Sequence, residues 1–366
     1  MNHPATTNWL PHWTWIVPAA ALLVVALIIG GALRADAAAI VALAAFVLVA
    51  TVFAAVHHAE VVALRVGEPF GSIVLALAVT VIEVGLIVSI MLAGSQGGAE
   101  LARDTVFATI MIVLNGIVGL CLLAGGARHR EQTFTTDSAT AALSVLSTLA
   151  IVTLVVPEFT TTAPGPIYAP AQQLGIGLVS IVLYAVFLFV QTVRHRDYFL
   201  PAPTAAGTNH GAAPAARVAL ISLALLLLSL LMVVLLAKVL SGPLERAVAA
   251  ARLPMSFVGV VVAAIVLMPE GIAAVKAARA NRVQISLNLA LGSALATMAL
   301  TIPIVGALAL YLARPLVLGL EPASMALLLL TLFIGTITLA TGRTTILQGA
   351  VHMVIFAIFL LLSMLP

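Results

Sequence analysis

The chain has 366 residues, of which 63% are hydrophobic and 8% charged, with a formal net charge of +3 and a mean hydropathy of +1.23. So apolar a chain cannot close around one water-soluble core; it reads as an all-α integral membrane protein that crosses the bilayer many times. Its 16 Lys and Arg form no basic run suited to nucleic acid, and the single cysteine, Cys121, excludes an internal disulfide and any cysteine-based metal site.

Apolar stretches of spanning length are predicted at about 15–33, 37–56, 70–93, 104–126, 139–157, 172–193, 217–240, 254–275, 285–311, 323–341 and 344–365. Trp9, Trp13 and Trp15 precede or open the first of these, where an interfacial aromatic anchor belongs. The stretch ends in Ala35-Asp36-Ala37, a sequence resembling a leader-cleavage site. No Lys or Arg precedes it, however, and the run is long enough to span, so residues 1–35 are expected to be a tail and a retained helix. After the second stretch come His57, His58 and Glu60 in a compact HHAE cluster, then Glu68 in Gly67-Glu68-Pro69. This group is a candidate proton or metal entrance; the alternative is an ordinary solvated helix end.

The third stretch carries Glu83 within VTVIEVGLIVSI, with Thr80 three residues before it. A carboxylate near the bilayer centre costs about 2.5–3.5 kcal/mol on insertion scales, so an acid placed there points to a functional site. The fourth stretch is rich in small and polar residues: Asp104, Thr105, Thr109, Asn115, Gly116 and Gly119. Residues 200–216, LPAPTAAGTNHGAAPAA, lack apolar periodicity and are expected to form a cytoplasmic linker.

Beyond the linker the pattern returns, with Glu270 in VLMPEGIAAV on the eighth stretch. Pro269 has no N–H, which leaves the carbonyl of Ile265 without its helical partner; with Gly271 adjacent, a broken helix at Glu270 is expected. The ninth stretch is again rich in hydroxyl, amide and small side chains: Ser286, Asn288, Gly292, Ser293, Thr297 and Thr301. Small residues let helices approach closely, while hydroxyl and amide oxygens can line a polar cavity or simply bond between helices. In the last stretch stands His352, a candidate proton relay or a hydrogen-bonded packing histidine.

Eleven spans place the two termini on opposite sides. The side of the N-terminus then holds ten basic residues, Arg65, Arg128, Arg130, Arg194, Arg196, Arg217, Lys276, Arg279, Arg282 and Arg343, against six on the other. That bias predicts a cytoplasmic N-terminus and an external C-terminus. Without the first helix, ten spans remain, five in residues 36–199 and five in 217–366. An odd number per half inserts the second half upside down relative to the first, and Glu83 and Glu270 each fall on the second helix of their half.

A hard cation such as Ca²⁺ takes about 6–8 oxygen ligands from carboxylates, carbonyls, amides and water. Burial and mutual repulsion favour the protonated form of two such acids when no cation is bound, and a divalent cation reverses that preference. Proton and cation would then compete for one site, the requirement for coupled exchange. Two buried acids could instead serve an intramembrane hydrolase or line a cation channel. The chain offers no HExxH, no GxSxG and no paired intramembrane aspartates.

These residues resemble the calcium/proton antiporter branch of the Ca²⁺:cation antiporter superfamily, especially its bacterial ChaA-type members. The resemblance is carried by GEPFGSIVLALAVTVIEVGLIVSIM (67–91), RDTVFATIMIVLNGIVG (103–119), MPEGIAAVKAARANRVQISLNLALGSALATMALTIP (268–303) and TGRTTILQGAVH (341–352). It implies ten core helices in two inverted repeats, an extra N-terminal helix, and alternating access at the bacterial inner membrane. It also implies no cofactor, inorganic cations and protons as transported partners, and acidic ligands at Glu83 and Glu270 with Gly292-Ser293 nearby. Thr80, Thr109, Asn115, Asn288, Ser293, Ile265 and Pro269 are the expected lining. Two departures stand out. Ala108-Thr109 occupies the small-residue place on the helix after the first acid, with Asn115 about two positions late, and Gln348 stands where relatives often have Glu. The resemblance leaves Ca²⁺, Na⁺ and K⁺ open as cargo, and leaves open the oligomeric state, a homo-oligomer being one option.

Overall fold

The structure, a computed structural model, describes residues 9–67, 70–92, 99–195, 198 and 213–365; Glu68, Pro69 and most of the expected linker lie outside the described residues. Among the described residues eleven helices are long and apolar enough to cross a membrane. They are α1 (His12–Ile29), α2 (Ala38–Val66), α3 (Phe70–Leu92), α4 (Leu101–His129), α5 (Thr136–Phe159), α6 (Pro170–Arg194), α7 (Ala216–Ala250), α8 (Phe257–Arg279), α9 (Val283–Tyr311), α10 (Pro322–Ala340) and α11 (Ile346–Met364). Each predicted stretch falls on one of them, because each is apolar enough over a spanning length and a lipid-facing backbone must satisfy its own hydrogen bonds.

Two local expectations change. The HHAE cluster does not follow α2 but lies inside it, since α2 continues to Val66. Glu270 does not sit at a break: α8 runs as an α-helix through Pro269. A proline removes one intrahelical bond and crowds one carbonyl, which a helix packed on both sides can tolerate without separating into two. Breaks in regularity occur elsewhere, as π-helical turns at Ile112–Ile117 in α4, Ile151–Val155 in α5 and Val190–Arg194 in α6. In α5 the loosened turn is secured from outside. Tyr168 Oη donates to Val152 O at 2.5 Å, and Leu320 N–H donates to Leu154 O at 2.9 Å. Burial pushes the Tyr168 hydroxyl up to about 12, so it keeps its proton and stays a donor at physiological pH.

The helices pack as two compact units, one of Met1–Ser89 with Ala206–Pro243 and the other of Ile90–Ala205 with Leu244–Pro366. In the first, α1 lies along α2. His58 Nε2–H donates to Thr14 O at 2.9 Å and His57 Nε2–H to Trp9 O at 3.2 Å, while the Trp13 ring packs against His57. In the same unit Gly85 of α3 faces α7 so closely that an added Cβ would lie 2.6 Å from Val234 Cγ2, and Ser89 Oγ donates to Val234 O at 3.2 Å.

In the second unit α4 and α8 pack side by side, α9 lies against α8, α5 and α6, and α11 covers the second half of α4. Glycines set the closest approaches. A Cβ on Gly259 would meet Thr105 N at 2.8 Å, and one on Gly349 would meet Leu123 N at 2.4 Å. At one end of this unit the α4–α5 connection forms β1 (Glu131–Thr133), which pairs antiparallel with β2 (Arg343–Thr345) of the α10–α11 connection. Gln132 of that ribbon also donates to Ala278 O at 2.9 Å, in the last turn of α8. Interchanging the sequence halves reproduces the arrangement at the opposite end. There the α9–α10 connection meets the α5–α6 connection through Leu318 N and Gly319 N to Pro166 O at 3.1 and 3.0 Å, and reaches Ala99 O, just before α4, through Val317 N at 3.0 Å.

Candidate cation-binding site

Glu270 occupies the middle of α8 and is 5% exposed, although nothing in its immediate sequence carries a positive charge. Its partner comes from α9: Ser293 Oγ donates to Glu270 Oε2 at 2.5 Å. The two meet because α8 and α9 are consecutive antiparallel helices in lateral contact. A Cβ on Gly292 would meet no atom within 4 Å, whereas one on Gly271 would touch Ile117 of α4 at 3.3 Å. Pro269 lies beside the acid on the same helix, and Ile265 one turn earlier, with a carbonyl that cannot receive the amide hydrogen Pro269 lacks. The contact between α8 and α9 therefore brings together a carboxylate and a hydroxyl, both hard oxygen groups. Further along the helix pair, Ser286 Oγ donates to Ala274 O at 2.6 Å, a link between helices rather than a free ligand.

Glu83 is 1% exposed, in α3 of the other unit. Thr80 is buried beside it in sequence and donates its hydroxyl to Ala76 O at 2.9 Å on its own helix. Thr109 is buried in α4. Asn288 is half-buried and accepts at 2.9 Å from Gln284, whose amide also reaches Ser138 Oγ at 2.8 Å and whose oxygen accepts from Thr135 N at 2.7 Å.

Asn115 and His352 were separate candidates by sequence, and the structure brings them together. Asn115 sits in the π turn of α4 and is fully buried. Its Nδ2 donates to Thr331 Oγ1 at 2.8 Å, which turns its Oδ1 towards His352 Nδ1 at 3.0 Å; His352 Nε2 lies 3.1 Å from Thr338 Oγ1. Thr331 and Thr338 of α10 went unnoticed in the sequence, where a threonine in an apolar helix carries no mark of its neighbours. The register of Asn115 is also altered by the turn itself, because a π turn takes in an extra residue and rotates everything after it.

The remaining candidates sit apart. His57 and His58 are spent on the α1–α2 contact described above, and Glu60, on the same helix, is exposed. Gln348, standing where relatives often have Glu, caps α11, its Oε1 accepting from Thr345 N at 2.9 Å and from Thr345 Oγ1 at 2.6 Å.

A multi-pass membrane protein, with eleven membrane-length helices among the described residues and a buried acid held by a hydroxyl, has the make-up of an ion transporter. Comparison with known proteins makes the class specific. The family of sodium/calcium exchanger proteins matches residues 37–193 and 221–365, and the chain belongs to that family. It is 53% identical over 361 residues to y4hA of Sinorhizobium fredii, a protein named as an ionic transporter, covering 98% of this chain and 97% of that one. It is 35% identical over 317 residues to the sodium-potassium/proton antiporter ChaA of Escherichia coli, 86% of each chain being covered. Among solved structures its fold matches that of YfkE, a Ca²⁺/H⁺ antiporter, with a TM-score of 0.73 at 19% identity over 96% of this chain and 100% of that one. The relatives are ion transporters; the chain is a cation exchanger with inorganic cations as its cargo.

Proposed function

We propose that the chain is a secondary antiporter of the bacterial inner membrane that exchanges Ca²⁺ for protons by alternating access, its N-terminus in the cytoplasm. Glu83 and Glu270 are its exchanging carboxylates, each taking a proton when it gives up the cation. The observation that carries the reading is the Glu270 carboxylate, buried within a membrane-spanning helix and held by the Ser293 hydroxyl. Such a group is costly to place in a bilayer and is kept there for ion handling. A hydroxyl that donates to the carboxylate can turn its lone pairs towards a bound cation, so Ser293 serves both states. The fold shared with a Ca²⁺/H⁺ antiporter supports calcium as cargo. A second reading, Na⁺ or K⁺ for protons at the same residues, is favoured by the 35% identity to ChaA.

Purified protein in liposomes with an imposed pH gradient tests both readings. Saturable Ca²⁺ uptake that collapses with the gradient and is competed by neither Na⁺ nor K⁺ is the expected result; flux of Na⁺ or K⁺ alone would establish the second reading. Current without a pH gradient would mean a channel. With two exchanging acids the proton count per Ca²⁺ should not exceed two, and a larger ratio would show that other groups carry protons. A hydrogen bond to a charged group is worth about 1.5–3 kcal/mol, so Ser293→Ala should raise the half-saturating cation concentration by roughly tenfold or more. Cation titrations of the flux read that change directly.

A further inference from the structure

Hydrogen-bond accounting around His352 gives it a different task from proton transfer. Asn115 Nδ2 donates to Thr331 Oγ1, so Asn115 Oδ1 must accept from His352 Nδ1–H, and the bare Nε2 then accepts from Thr338 Oγ1–H. Thr331 Oγ1–H in turn donates to Met111 Sδ at 3.4 Å. With the imidazole neutral, donors and acceptors all match, and Met111, Asn115, Thr331, Thr338 and His352 are each no more than 3% exposed. A network so completed, and so closed to water, holds a shape.

What it holds is the π turn Ile112–Ile117. The turn is gripped by α10 and α11 through Asn115, while Ile117, at its end, packs at 3.3 Å from the Cβ position of Gly271, the residue that follows Glu270. A π turn has poorer hydrogen-bond geometry than the helix around it, so its form depends on such outside contacts. We propose that His352 is a positioning residue for the Glu270 site. Through Asn115 it sets the π turn, and through Ile117 the turn sets where the Pro269-Glu270-Gly271 segment lies relative to α4. This inference rests on Glu270 being an exchanging carboxylate, as proposed above.

Five variants in the liposome assay, run with whichever of Ca²⁺, Na⁺ and K⁺ the unmodified protein exchanges, test it. Loss of a partner that orients a ligand typically costs about 10–100-fold in ion affinity, and His352→Leu should raise the half-saturating cation concentration by that order, leaving the pH profile at saturating cation in place. His352→Asn, which cannot carry a proton but can donate to Asn115 in place of Nδ1, should restore saturation to near the original. Ile117→Ala should weaken saturation like His352→Leu, and the double variant His352→Leu/Ile117→Ala should be no worse than either. If His352→Leu yields no folded protein, His352→Asn and Ile117→Ala decide the matter alone. The proposal is overturned if His352→Asn is as defective as His352→Leu, if it displaces the pH profile, or if Ile117→Ala saturates normally. The fifth variant, Glu270→Gln, separates the levels. Normal exchange by it removes the reading of the site and this inference together, whereas its inactivity beside normal saturation in His352→Leu and Ile117→Ala removes the inference alone.

Discussion

Glu270→Gln is expected to abolish coupled exchange while leaving the protein folded and inserted. Glutamine has the shape of glutamate, and its Oε1 can still accept from Ser293 Oγ, so the contact between α8 and α9 survives. What disappears is the ability to trade a proton for a cation. Losing a unit charge about 4 Å from a cation forfeits roughly 4 kcal/mol at an effective dielectric near 20, close to a thousandfold in affinity. Coulomb attraction scales with the charge of the ion, so a divalent cargo should suffer more than a monovalent one, and residual flux in the variant, compared for Ca²⁺ and Na⁺, would itself report which cation the site is built for. Glu83→Gln should have the same sign. Wild-type rates in Glu270→Gln, measured as pH-driven flux at matched protein amounts, would place the cation site elsewhere.

The second large effect concerns Gly349. A methyl group there would lie 2.4 Å from Leu123 N, 2.8 Å from its Cα and 2.9 Å from Leu122 C. These are backbone atoms, so no side chain can swing aside; α4 and α11 must separate. The same seam contains Gly126 against Ile346 N and Gly119 against His352 Cβ, so separation at one point opens the whole contact. Close approach through small residues is the main source of helix association where water supplies no driving force. Overpacking ordinarily costs about 1–3 kcal/mol, and a clash of two backbones exceeds that range. Gly349→Ala should therefore sharply reduce the yield of monodisperse protein in detergent and lower its thermal midpoint. Gly175→Ala is the matching control, because a Cβ at Gly175 meets nothing within 4 Å.

Much of this was legible in the chain itself. All eleven helices follow from apolar runs, since membrane depth is read residue by residue and needs no knowledge of neighbours. Glu270 and Ser293 could be singled out because an acid and a small polar residue are conspicuous among Val, Leu and Ala, and the structure puts them in contact. The end of α2 was placed too early because His57, His58 and Glu60 depress local hydropathy, although the histidines are paid for by carbonyls of the α1 segment. The π turns had no signature, for one residue more or less in a helix leaves its composition unchanged. Thr331 and Thr338 stayed hidden for a related reason. Periodicity tells how deep a side chain lies, but a hydrogen bond between helices more than 200 residues apart in sequence depends on lateral packing, which no single helix encodes.

The pairing of connections at the two ends of the second unit has a thermodynamic consequence. At one end the first half of the chain is buckled to the second by the ribbon of residues 131–133 and 343–345, and at the other by residues 317–320 held at Pro166, Leu154 and Ala99. Pulling any one helix hairpin out of this unit requires releasing the backbone bonds of its connections at both ends as well as parting the helices themselves. Partial opening is therefore costlier than its own few contacts suggest. The unit should melt in a single sharp transition, a dovetail that yields everywhere or nowhere.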